Sequence, residues 1–492
     1  MPQRHYVACD LGADSGRVIL GTLENGKLAL EEIHRFPTGA LPVRDTLRWN
    51  ILRIFEEIKT GLRLVAKRNL KISGISTDSW GVDYAFLFGN EPFLTQPYHY
   101  RDVRTDKGFE QAFAVVPKKE IFEQTGIQFM TLNTLYQLHA DLRERPEILN
   151  LSEQFLCIAD YFNFLFSNVK AVEESMASTT QLYNPTTHAW AKPLIEKLGL
   201  PYRVFPKVVP SASILGPVAP TLAAELNWQE TKVVATCSHD TGAAVAAVPG
   251  EGDDWAYLSS GTWSLLGIES PTPIINAESL EKNFTNEIGV GGSIRFLKNI
   301  VGLWMVQESR RTWTLAGEKY SFEELSHLAT EAPSLRSLIN PTSARFAKPN
   351  DMPKKVADYC RETGQPVPET PGQIIRTIYE SLALLYSLTL ENLEHLSGRK
   401  INRLHIVGGG GKDKLLNQFT ANAIGRPVYA GPMECTAVGN LLIQALALGD
   451  IKTHADLRTI VRNTFPLDTY KPENEAVFAK ARHRFAKLPV LD

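Results

Sequence analysis

The chain has no apolar run long enough to cross a membrane. Its best candidate, Leu382 to Leu390, is short, contains Ser and Thr, and is followed directly by Glu391, whereas a spanning helix needs roughly 18 apolar residues or more. The first residues, Met1-Pro-Gln-Arg-His-Tyr, lead into a strand-like segment without the apolar region of a secretion signal. These two absences predict a cytoplasmic protein that makes no use of a membrane.

Cysteine is scarce and scattered. The 492 residues contain five cysteines, and no two of them have the CxxC spacing. A sparse, odd-numbered set is typical of buried thiols in a reducing compartment, and it argues against a disulfide framework or a zinc site. The five are Cys9, Cys157, Cys237, Cys360 and Cys435.

Positive and negative charges nearly balance. The chain carries 52 basic and 54 acidic residues, for a formal net charge of -2. A nucleic-acid-binding protein would be expected to carry a basic stripe, and this near balance gives no electrostatic case for one. We therefore expect no nucleic-acid partner.

The common nucleotide and metalloprotease motifs are also missing. GxxxxGK[ST] fails near Gly411-Lys412, because Ile406 stands at the first glycine position and Asp413 at the Ser/Thr position. GxGxxG fails at Gly408–Gly411, where Asp413 replaces the last glycine, and HExxH does not occur. The sequence supports neither a P-loop enzyme nor a Rossmann dehydrogenase.

Two glycine-bearing turns are present, about half a chain apart. Asp10-Leu-Gly-Ala-Asp-Ser-Gly-Arg17 and Ser259-Ser-Gly-Thr-Trp263 each lie between two apolar, strand-like runs. Glycine permits close backbone approach, and backbone N–H groups and hydroxyls can receive phosphate charge. Two such turns facing each other across a cleft could hold a nucleotide triphosphate from both sides. We therefore predict a two-domain enzyme that uses ATP.

The apolar periodicity predicts an α/β pattern in both halves. The first half begins with a three-strand meander, in which Asn25-Gly26 marks a hairpin, followed by a helix and a buried strand; the segments are Tyr6–Leu11, Arg17–Leu23, Leu28–Phe36, the helix Ile51–Asn69, and Ile72–Thr77. The second half contains strands Trp255–Leu258, Trp263–Ile268, Ile401–Val407 and Val428–Ala430, and helices Ile300–Arg310, Gln373–Leu396 (ended by Gly398), Lys412–Ile424 and Cys435–Leu448. The join between the halves is expected at the polar turn Val248–Asp254.

Asp240 is predicted to lie at the start of a helix built of small residues. It follows the buried strand Val233–Cys237 and precedes Gly242–Ala247. The helix dipole favours an ionised carboxylate there, and such a carboxylate can accept the proton of a hydroxyl that attacks a phosphoryl group. A helix N-cap without chemistry explains Asp240 equally well.

Three further features have both a chemical and a structural interpretation. Asp10, at the end of the first strand, could hold Mg²⁺ or its waters, or could belong to an ordinary turn. Asp78-Ser-Trp-Gly-Val-Asp83 suits sugar recognition, with hydroxyls on the polar groups and an apolar sugar face on the indole. The run Gly408–Gly411 could lie against a nucleoside or act as a hinge.

The order of these features resembles that of the FGGY carbohydrate kinases, of the actin, hexokinase and Hsp70-like superfamily. The likeness extends over almost the full length of the chain. It rests on Asp10–Arg17, Asp78–Asp83, Tyr100–Thr105, Thr125–Phe129, Asn133–Gln137, Ser238–Thr241, Ser259–Leu265, Leu297–Ile300 and His405–Gly410.

The resemblance implies a fold, an activity and a substrate. The fold is α/β, with two RNase H-like (actin-like ATPase) domains and a central ligand cleft; the domains are 1–248 and 254–450, with an extension at 451–492. The activity is transfer of a phosphoryl group from ATP, with Mg²⁺, to the 1-hydroxyl of L-rhamnulose, by a monomer or small homo-oligomer. The alternatives are another substrate of the same family (L-fuculose, L-ribulose, D-xylulose or glycerol) or a nucleotide switch without kinase activity.

The resemblance also implies a role for individual residues. Asp240 is the proton acceptor, and Asp10 is the carboxylate on the metal side. The sugar-binding positions are Gly81, His239, Asp240, Thr241 and Asn299. The ATP-binding positions are Ala13, Asp14, Ser15, Gly16, Arg17, Thr262, Gln307 and Gly409. Asp14 departs from the family pattern, which has a small polar residue there, and an extra carboxylate beside phosphates is unfavourable unless it faces Mg²⁺ or solvent.

Overall fold

A computed structural model describes residues 3–89, 91 and 95–491. The chain forms two compact units that interleave in sequence. Unit 1 comprises Met1–Pro249, Glu269–Phe296 and Cys435–Phe465, and unit 2 comprises Gly250–Ile268, Leu297–Glu434 and Pro466–Asp492. The domain boundaries predicted from the sequence, 1–248 and 254–450 with an extension at 451–492, stay a prediction.

The strands are mostly short, and they alternate with helices along the chain. In chain order they are β1 (Arg4–Leu11), β2 (Ser15–Glu24), β3 (Lys27–Pro37), β4 (Leu41–Val43), β5 (Thr46–Arg48), β6 (Ile72–Ser79), β7 (Tyr84–Leu87), β8 (Gln154–Cys157), β9 (Ala171–Glu173), β10 (Tyr183–Asn184), β11 (Ala189–Trp190), β12 (Lys207–Val209), β13 (Ser213–Pro217), β14 (Lys232–Ala235), β15 (Trp255–Ser260), β16 (Trp263–Ser270), β17 (Thr285–Ile288), β18 (Ile294–Val301), β19 (Arg403–Val407), β20 (Val428–Ala430) and β21 (Asp468–Tyr470).

The helices range from single turns to one of more than seven turns. In chain order they are α1 (Ile51–Ala66), α2 (Arg104–Val115), α3 (Lys118–Thr125), α4 (Thr134–Glu144), α5 (Pro146–Leu151), α6 (Ile158–Ser167), α7 (Glu174–Thr179), α8 (Lys192–Lys197), α9 (Pro220–Leu226), α10 (Asp240–Ala246), α11 (Ala277–Glu281), α12 (Trp304–Leu315), α13 (Phe322–Glu331), α14 (Met352–Glu362), α15 (Pro371–Ser397), α16 (Lys414–Ile424), α17 (Cys435–Ala447), α18 (His454–Thr464) and α19 (Glu475–Phe485).

Unit 1 is built on a six-stranded mixed sheet in the order β13-β14-β6-β1-β2-β3. Strands β1, β2 and β3 form an antiparallel meander, and β6 lies parallel to β1 on the other side. Strand β14 continues the sheet parallel to β6. The ends of β1, β6 and β14 therefore meet at one edge, where loops and helix starts can bring polar groups together.

Helix α1 shows how the local sequence builds a layer on this sheet. Asn50 precedes it, and the Asn50 side chain accepts a hydrogen bond from the Arg53 backbone N–H, as an N-cap does. The apolar residues recur at helical spacing and bury one face against β2 and β3. Each fully buried aliphatic side chain of this kind contributes roughly 1.5–3 kcal/mol; they are Ile54, Ile58, Leu62 and Val65.

Unit 2 repeats the first part of this topology. Strands β15 and β16 form an antiparallel hairpin, β19 lies parallel to β15, and β20 lies parallel to β19. Strand β21 is the edge strand next to β20 and runs antiparallel to it. Helix α15 packs against α13 and α16 and ends at Gly398, which has the left-handed φ of 67° expected there. The predicted α/β class is confirmed.

One predicted element is wrong. The helix expected at Ile300–Arg310 begins only at Trp304, because Ile300 and Val301 belong to β18. Two β-branched residues followed by Gly302 favour a strand that ends in a turn. Trp304 and Gln307 do lie in the helix, α12, as predicted. Within the described part of the chain, no helix is both long and apolar enough to span a bilayer.

Candidate functional site

The first glycine turn connects β1 to β2 in unit 1. The strand register places Asp10 opposite Arg17, and Arg17 Nη2 donates a hydrogen bond to Asp10 Oδ2 at 2.5 Å. The turn closes through the Gly12 N–H, which donates to the Ser15 carbonyl at 3.0 Å. Asp14 is exposed, so its extra carboxylate can face solvent. The predicted phosphate-binding residues Ala13, Asp14, Ser15, Gly16 and Arg17 thus lie in this turn and the start of β2.

A second carboxylate lies beside Asp10. The parallel register of β1 and β6 pairs Asp10 with Asp78, whose side chain is fully buried. Asp78 Oδ2 accepts a hydrogen bond at 2.5 Å from Asn440 of α17, while Asp78 Oδ1 has no hydrogen-bond partner among the described residues. Burial, and then the charge of Asp10, raise the pKa of Asp78 well above its usual range.

The Asp10 and Asp78 pair fits a hydrated magnesium ion. Mg²⁺ takes one or two protein carboxylates and completes its shell with water and phosphate oxygens. An orphaned, buried carboxylate oxygen is the kind of group that a cation or its waters would satisfy. Among the described residues, no three His, Cys, Asp or Glu side chains gather as a metal cluster, so the protein alone would supply only part of the shell.

Asp240 begins helix α10, in the first turn as predicted. His239, not Asp240, is the N-cap residue, so the capping explanation is not borne out. The Asp240 side chain remains 31% exposed. Desolvation by the surrounding protein raises the pKa of Asp240. The carboxylate is held in place and is still open to a ligand.

A buried network fixes the loop that carries His239 and Asp240. The Ser238 N–H donates to Glu173 Oε2 at 2.9 Å, and the His239 N–H donates to Ser175 Oγ at 3.0 Å. The Ser175 hydroxyl in turn donates to Glu173. On the other side, the Ser79 N–H donates to the Ser238 carbonyl at 2.9 Å. The loop at the end of β14 is thereby tied to β6 and to the start of α7.

Asp83 accepts hydrogen bonds from four neutral donors. These are Trp49 Nε1 at 2.6 Å, Trp80 Nε1 at 3.1 Å, Gln137 Nε2 at 2.8 Å and the Tyr100 N–H at 3.1 Å. Burial raises the pKa of Asp83 to about 7, although the four donors oppose the rise. Asp83 is therefore the hub of the 78–83 loop.

The sugar-recognition hypothesis for this loop needs a correction. Trp80 is 5% exposed and Asp83 is fully buried, and the two bond to each other. They hold the loop in shape and offer little surface to a ligand. Gly81 between them is half-buried, and a Cβ atom there would lie 3.0 Å from the side chain of Thr179.

The raised pKa of Asp83 predicts a pH-dependent stability. Between about pH 4 and 7 the folded protein keeps Asp83 protonated, whereas the unfolded chain releases that proton. The stability contributed by Asp83 therefore falls as the pH rises toward 7, by up to about 1.4 kcal/mol per pH unit, and levels off above 7. Urea unfolding of the wild type and of Asp83→Asn at pH 5, 6, 7 and 8 measures this difference. A difference that stays flat would mean that Asp83 is already ionised in the folded protein.

The second glycine turn connects β15 to β16 in unit 2 and accepts hydrogen bonds from the start of α12. The Leu303 N–H donates to the Gly261 carbonyl at 3.0 Å, and the Trp304 N–H donates to the Thr262 carbonyl at 3.2 Å. Thr262 and Gln307 line a cavity of about 1000 Å³. The aromatic residues Phe322, Tyr379 and Tyr470 also line it. The size and the mixed lining suit a nucleoside-sized ligand.

Packing explains three of the four glycines at 408–411. Gly408 has a φ of 85°, and a Cβ atom on Gly410 would overlap the Ser260 side chain. A Cβ atom on Gly411 would lie 2.8 Å from Met433 Sδ. Gly409 differs, because its Cβ position has no protein atom within 4 Å and it lines the cavity. The hinge alternative is not needed for Gly408, Gly410 or Gly411.

The predicted site residues divide between the two units. Unit 1 holds Asp10, Ala13–Arg17, Gly81, His239, Asp240 and Thr241, and unit 2 holds Thr262, Asn299, Gln307 and Gly409. Asn299 is half-buried on β18. No motif or spacing in the sequence placed Asp78 beside Asp10, and none pointed to Asn440, Glu173, Glu287 or Arg295. The one available signal was that Asp78 directly follows Ile72–Thr77, a strand predicted to be buried.

Family models and individual relatives both match this chain over most of its length. The family model described as "FGGY family of carbohydrate kinases, N-terminal domain" matches residues 5–247, and the one for the C-terminal domain matches 256–448. A rhamnulokinase of Bacteroides thetaiotaomicron is 43% identical, over 98% of this chain and 99% of that protein. The rhamnulokinase of Bacillus subtilis is 37% identical, over 95% and 96%.

Solved structures share the fold at low sequence identity. A ligand-bound xylulose kinase from Lactobacillus acidophilus has a TM-score of 0.82 at 16% identity, with 98% of this chain and 97% of that one covered. A Plasmodium falciparum glycerol kinase with ADP has a TM-score of 0.80 at 14% identity, with 100% and 99% covered. The predicted fold of two RNase H-like domains is confirmed. The chain belongs to the FGGY family of carbohydrate kinases.

Proposed function

We propose that this protein transfers the γ-phosphoryl group of ATP to the 1-hydroxyl of L-rhamnulose, giving L-rhamnulose 1-phosphate and ADP. The observation that carries the proposal is the group of rhamnulokinases, 37% to 43% identical, that match nearly the full length of the chain. Asp240 supports it, because a partly exposed carboxylate at the start of a helix is suited to accept a hydroxyl proton.

In the proposed reaction, Asp240 takes the proton of the sugar hydroxyl as its oxygen attacks the γ-phosphorus. The new O–P bond forms, the bond between the γ-phosphorus and the β,γ-bridging oxygen breaks, and ADP leaves with that oxygen. Asp240 Oδ1 accepts hydrogen bonds from the Thr241 N–H at 2.5 Å and from Thr241 Oγ1 at 3.2 Å. His239 Nε2 also lies 3.4 Å from the same oxygen. Oδ2 is then the oxygen placed to receive the proton.

The other residues of unit 1 position the two substrates. Gly81, His239 and Thr241 are the sugar-binding residues proposed in this unit, and Asn299 is the one proposed in unit 2. Arg17 and the N–H groups of the 13–16 turn receive phosphate charge. Asp10 and Asp78 would hold Mg²⁺, which when bound neutralises charge on the transferred group.

The cavity of unit 2 is the proposed nucleotide pocket. Thr262 of the second hairpin and Gln307 of α12 would bind the phosphate and ribose side, and Gly409 would lie against the nucleoside. Charged side chains of both signs also line the cavity, Lys412 and Lys414 together with Glu323 and Asp413.

Gly409→Val should weaken ATP binding by at least about tenfold, or 1.4 kcal/mol, with sugar binding and thermal stability little changed. No protein atom lies within 4 Å of the Cβ position, and the residue lines the cavity, so the larger side chain takes space from the ligand. Calorimetry with a non-hydrolysable ATP analogue measures the affinity. Gly410→Ala is the contrasting variant, since its methyl group would overlap Ser260 and should lower stability. Intact ATP affinity in Gly409→Val would make Gly409 a structural turn.

The activity itself is tested by incubating the purified protein with ATP, Mg²⁺ and L-rhamnulose. ADP formation should depend on the sugar, and phosphorus NMR of the product should show a phosphate ester on carbon 1. ADP release that the sugar does not increase would favour the alternative of a nucleotide switch.

We further propose that the protein acts in the cytoplasm as a monomer or small homo-oligomer, and that 1–248 and 254–450 are its two domains in sequence.

A further inference from the structure

A buried ion pair contacts the imidazole of His239 from within unit 1. Arg295 on β18 is fully buried, and Glu287 on β17 is 5% exposed. Arg295 Nη2 lies 3.0 Å from Glu287 Oε2 and 3.1 Å from His239 Nδ1. Arg295 Nε donates to the Ile288 carbonyl at 3.1 Å, which fixes the plane of the guanidinium.

Burying such a pair is costly for the fold. Each charge removed from water loses several kcal/mol of solvation free energy. Replacing a buried ion pair with apolar residues of similar volume often leaves the protein equally stable or more stable. The guanidinium also packs close to Gly242, where a Cβ atom would lie 3.4 Å from Arg295 Cζ. The pair therefore lies directly behind the first turn of α10, next to the residues proposed to carry the reaction.

The contact sets the position of the imidazole proton. A guanidinium only donates hydrogen bonds, so His239 Nδ1 must accept the one from Arg295. The proton of the neutral ring is then on Nε2, which lies 3.4 Å from Asp240 Oδ1. Glu287 Oε2 is also 3.2 Å from Nδ1, but among the described residues it accepts no hydrogen bond of good geometry. The charge of Glu287 is instead balanced by Arg295.

We infer that Arg295 and Glu287 are positioning residues, which hold His239 as a neutral Nε2–H donor directed at Asp240 and at the sugar. Arg295 selects the tautomer, and Glu287 neutralises Arg295 so that the buried site carries no net charge from the pair. His239 then donates to Asp240 Oδ1 or to a sugar oxygen, and Asp240 Oδ2 stays available as proton acceptor. This inference rests on the proposed function.

The first measurement is the tautomer, which needs no substrate. The protein is labelled with ¹⁵N-histidine, and the His239 signals are identified as those absent from His239→Gln. We expect an unprotonated Nδ1 and a protonated Nε2 in the wild type and in Glu287→Gln, since Arg295 remains in both. Protonation of His239 on Nδ1 in the wild type would overturn the inference.

The second measurement is turnover in variants that keep the fold. Arg295→Met alone leaves a buried carboxylate without a partner, so the double variant Arg295→Met/Glu287→Gln is made beside it. We expect the folded double variant to lose kcat by about tenfold to a hundredfold, with the KM for ATP unchanged and the His239 tautomer shifted. Arg295→Lys, which keeps a donor, should recover part of kcat.

Arg458→Met is the matched control. Arg458 pairs with Glu269 at 2.6 Å and donates to the Val245 carbonyl at 3.2 Å, so it lies at the opposite end of the same helix, α10. A similar loss of kcat in Arg458→Met, or a folded double variant with kcat within twofold of wild type, would contradict the inference. If L-rhamnulose is not a substrate but the tautomer is as expected, only the proposed function fails.

Discussion

Asp240→Asn lowers kcat by about two to four orders of magnitude, the usual range for a lost acid–base group, while the protein stays folded. The amide keeps the shape of the side chain, and its oxygen can still accept from Thr241 as Oδ1 does. It cannot take a proton from the sugar hydroxyl. Nucleotide binding should change little, because Asp240 is not among the proposed ATP-binding residues. Steady-state kinetics and calorimetry with an ATP analogue separate the two effects.

Asp106→Asn is the control for this charge change. Asp106 is also in the first turn of a helix, α2, but it is exposed. The substitution there should leave kcat within about twofold of wild type. Near-normal turnover in a folded Asp240→Asn protein would remove Asp240 from the role of proton acceptor.

Gly439→Ala destabilises unit 1 by about 3 kcal/mol, at the upper end for inserting a group into a packed core. Gly439 lies on α17, where this helix crosses α10, and a Cβ atom there would overlap the carbonyl oxygen of Ala243. The helices must separate, because a backbone group cannot rotate away as a side chain can. The separation also moves Asp240, so kcat should fall with stability. Chemical denaturation and steady-state kinetics measure both.

Gly108→Ala on α2 is the matched control for Gly439→Ala. Its nearest neighbour, the Tyr136 carbonyl oxygen, would lie 3.3 Å from the new Cβ. Alanine in a helix gains about 0.5–1 kcal/mol over glycine, which offsets a small adjustment. Equal stability losses in Gly439→Ala and Gly108→Ala would mean that the α10–α17 crossing is not tightly packed.

Turns, helix starts and helix ends were predicted from the residues next to them in the sequence. Asn25 and Gly26 have φ values of 49° and 72°, as a two-residue hairpin between β2 and β3 requires. Asp240 was placed in the first turn of a helix because a buried strand and a run of small residues flank it. The second hairpin and the helix end at Gly398 followed from the same kind of signal.

Contacts between distant segments could not be predicted in this way. Asn440 reaches Asp78 across 362 positions, and Arg295 reaches His239 across 56. No periodicity or turn signal encodes such pairs, since they arise only when strands and helices pack. The interleaving of the units has the same origin, because 435–465 returns to unit 1 after the whole of 297–434. The strand at Ile300 was missed because an apolar run of that length fits either a helix or a strand.

The most direct test of the central claim compares kcat/KM across a panel of sugars with ATP and Mg²⁺ at saturation. The panel contains L-rhamnulose, L-fuculose, L-ribulose, D-xylulose and glycerol. We predict that L-rhamnulose has the highest kcat/KM by at least about tenfold, a transition-state preference of about 1.4 kcal/mol. A kcat/KM for L-fuculose or D-xylulose that exceeds the value for L-rhamnulose by tenfold would contradict the proposed substrate.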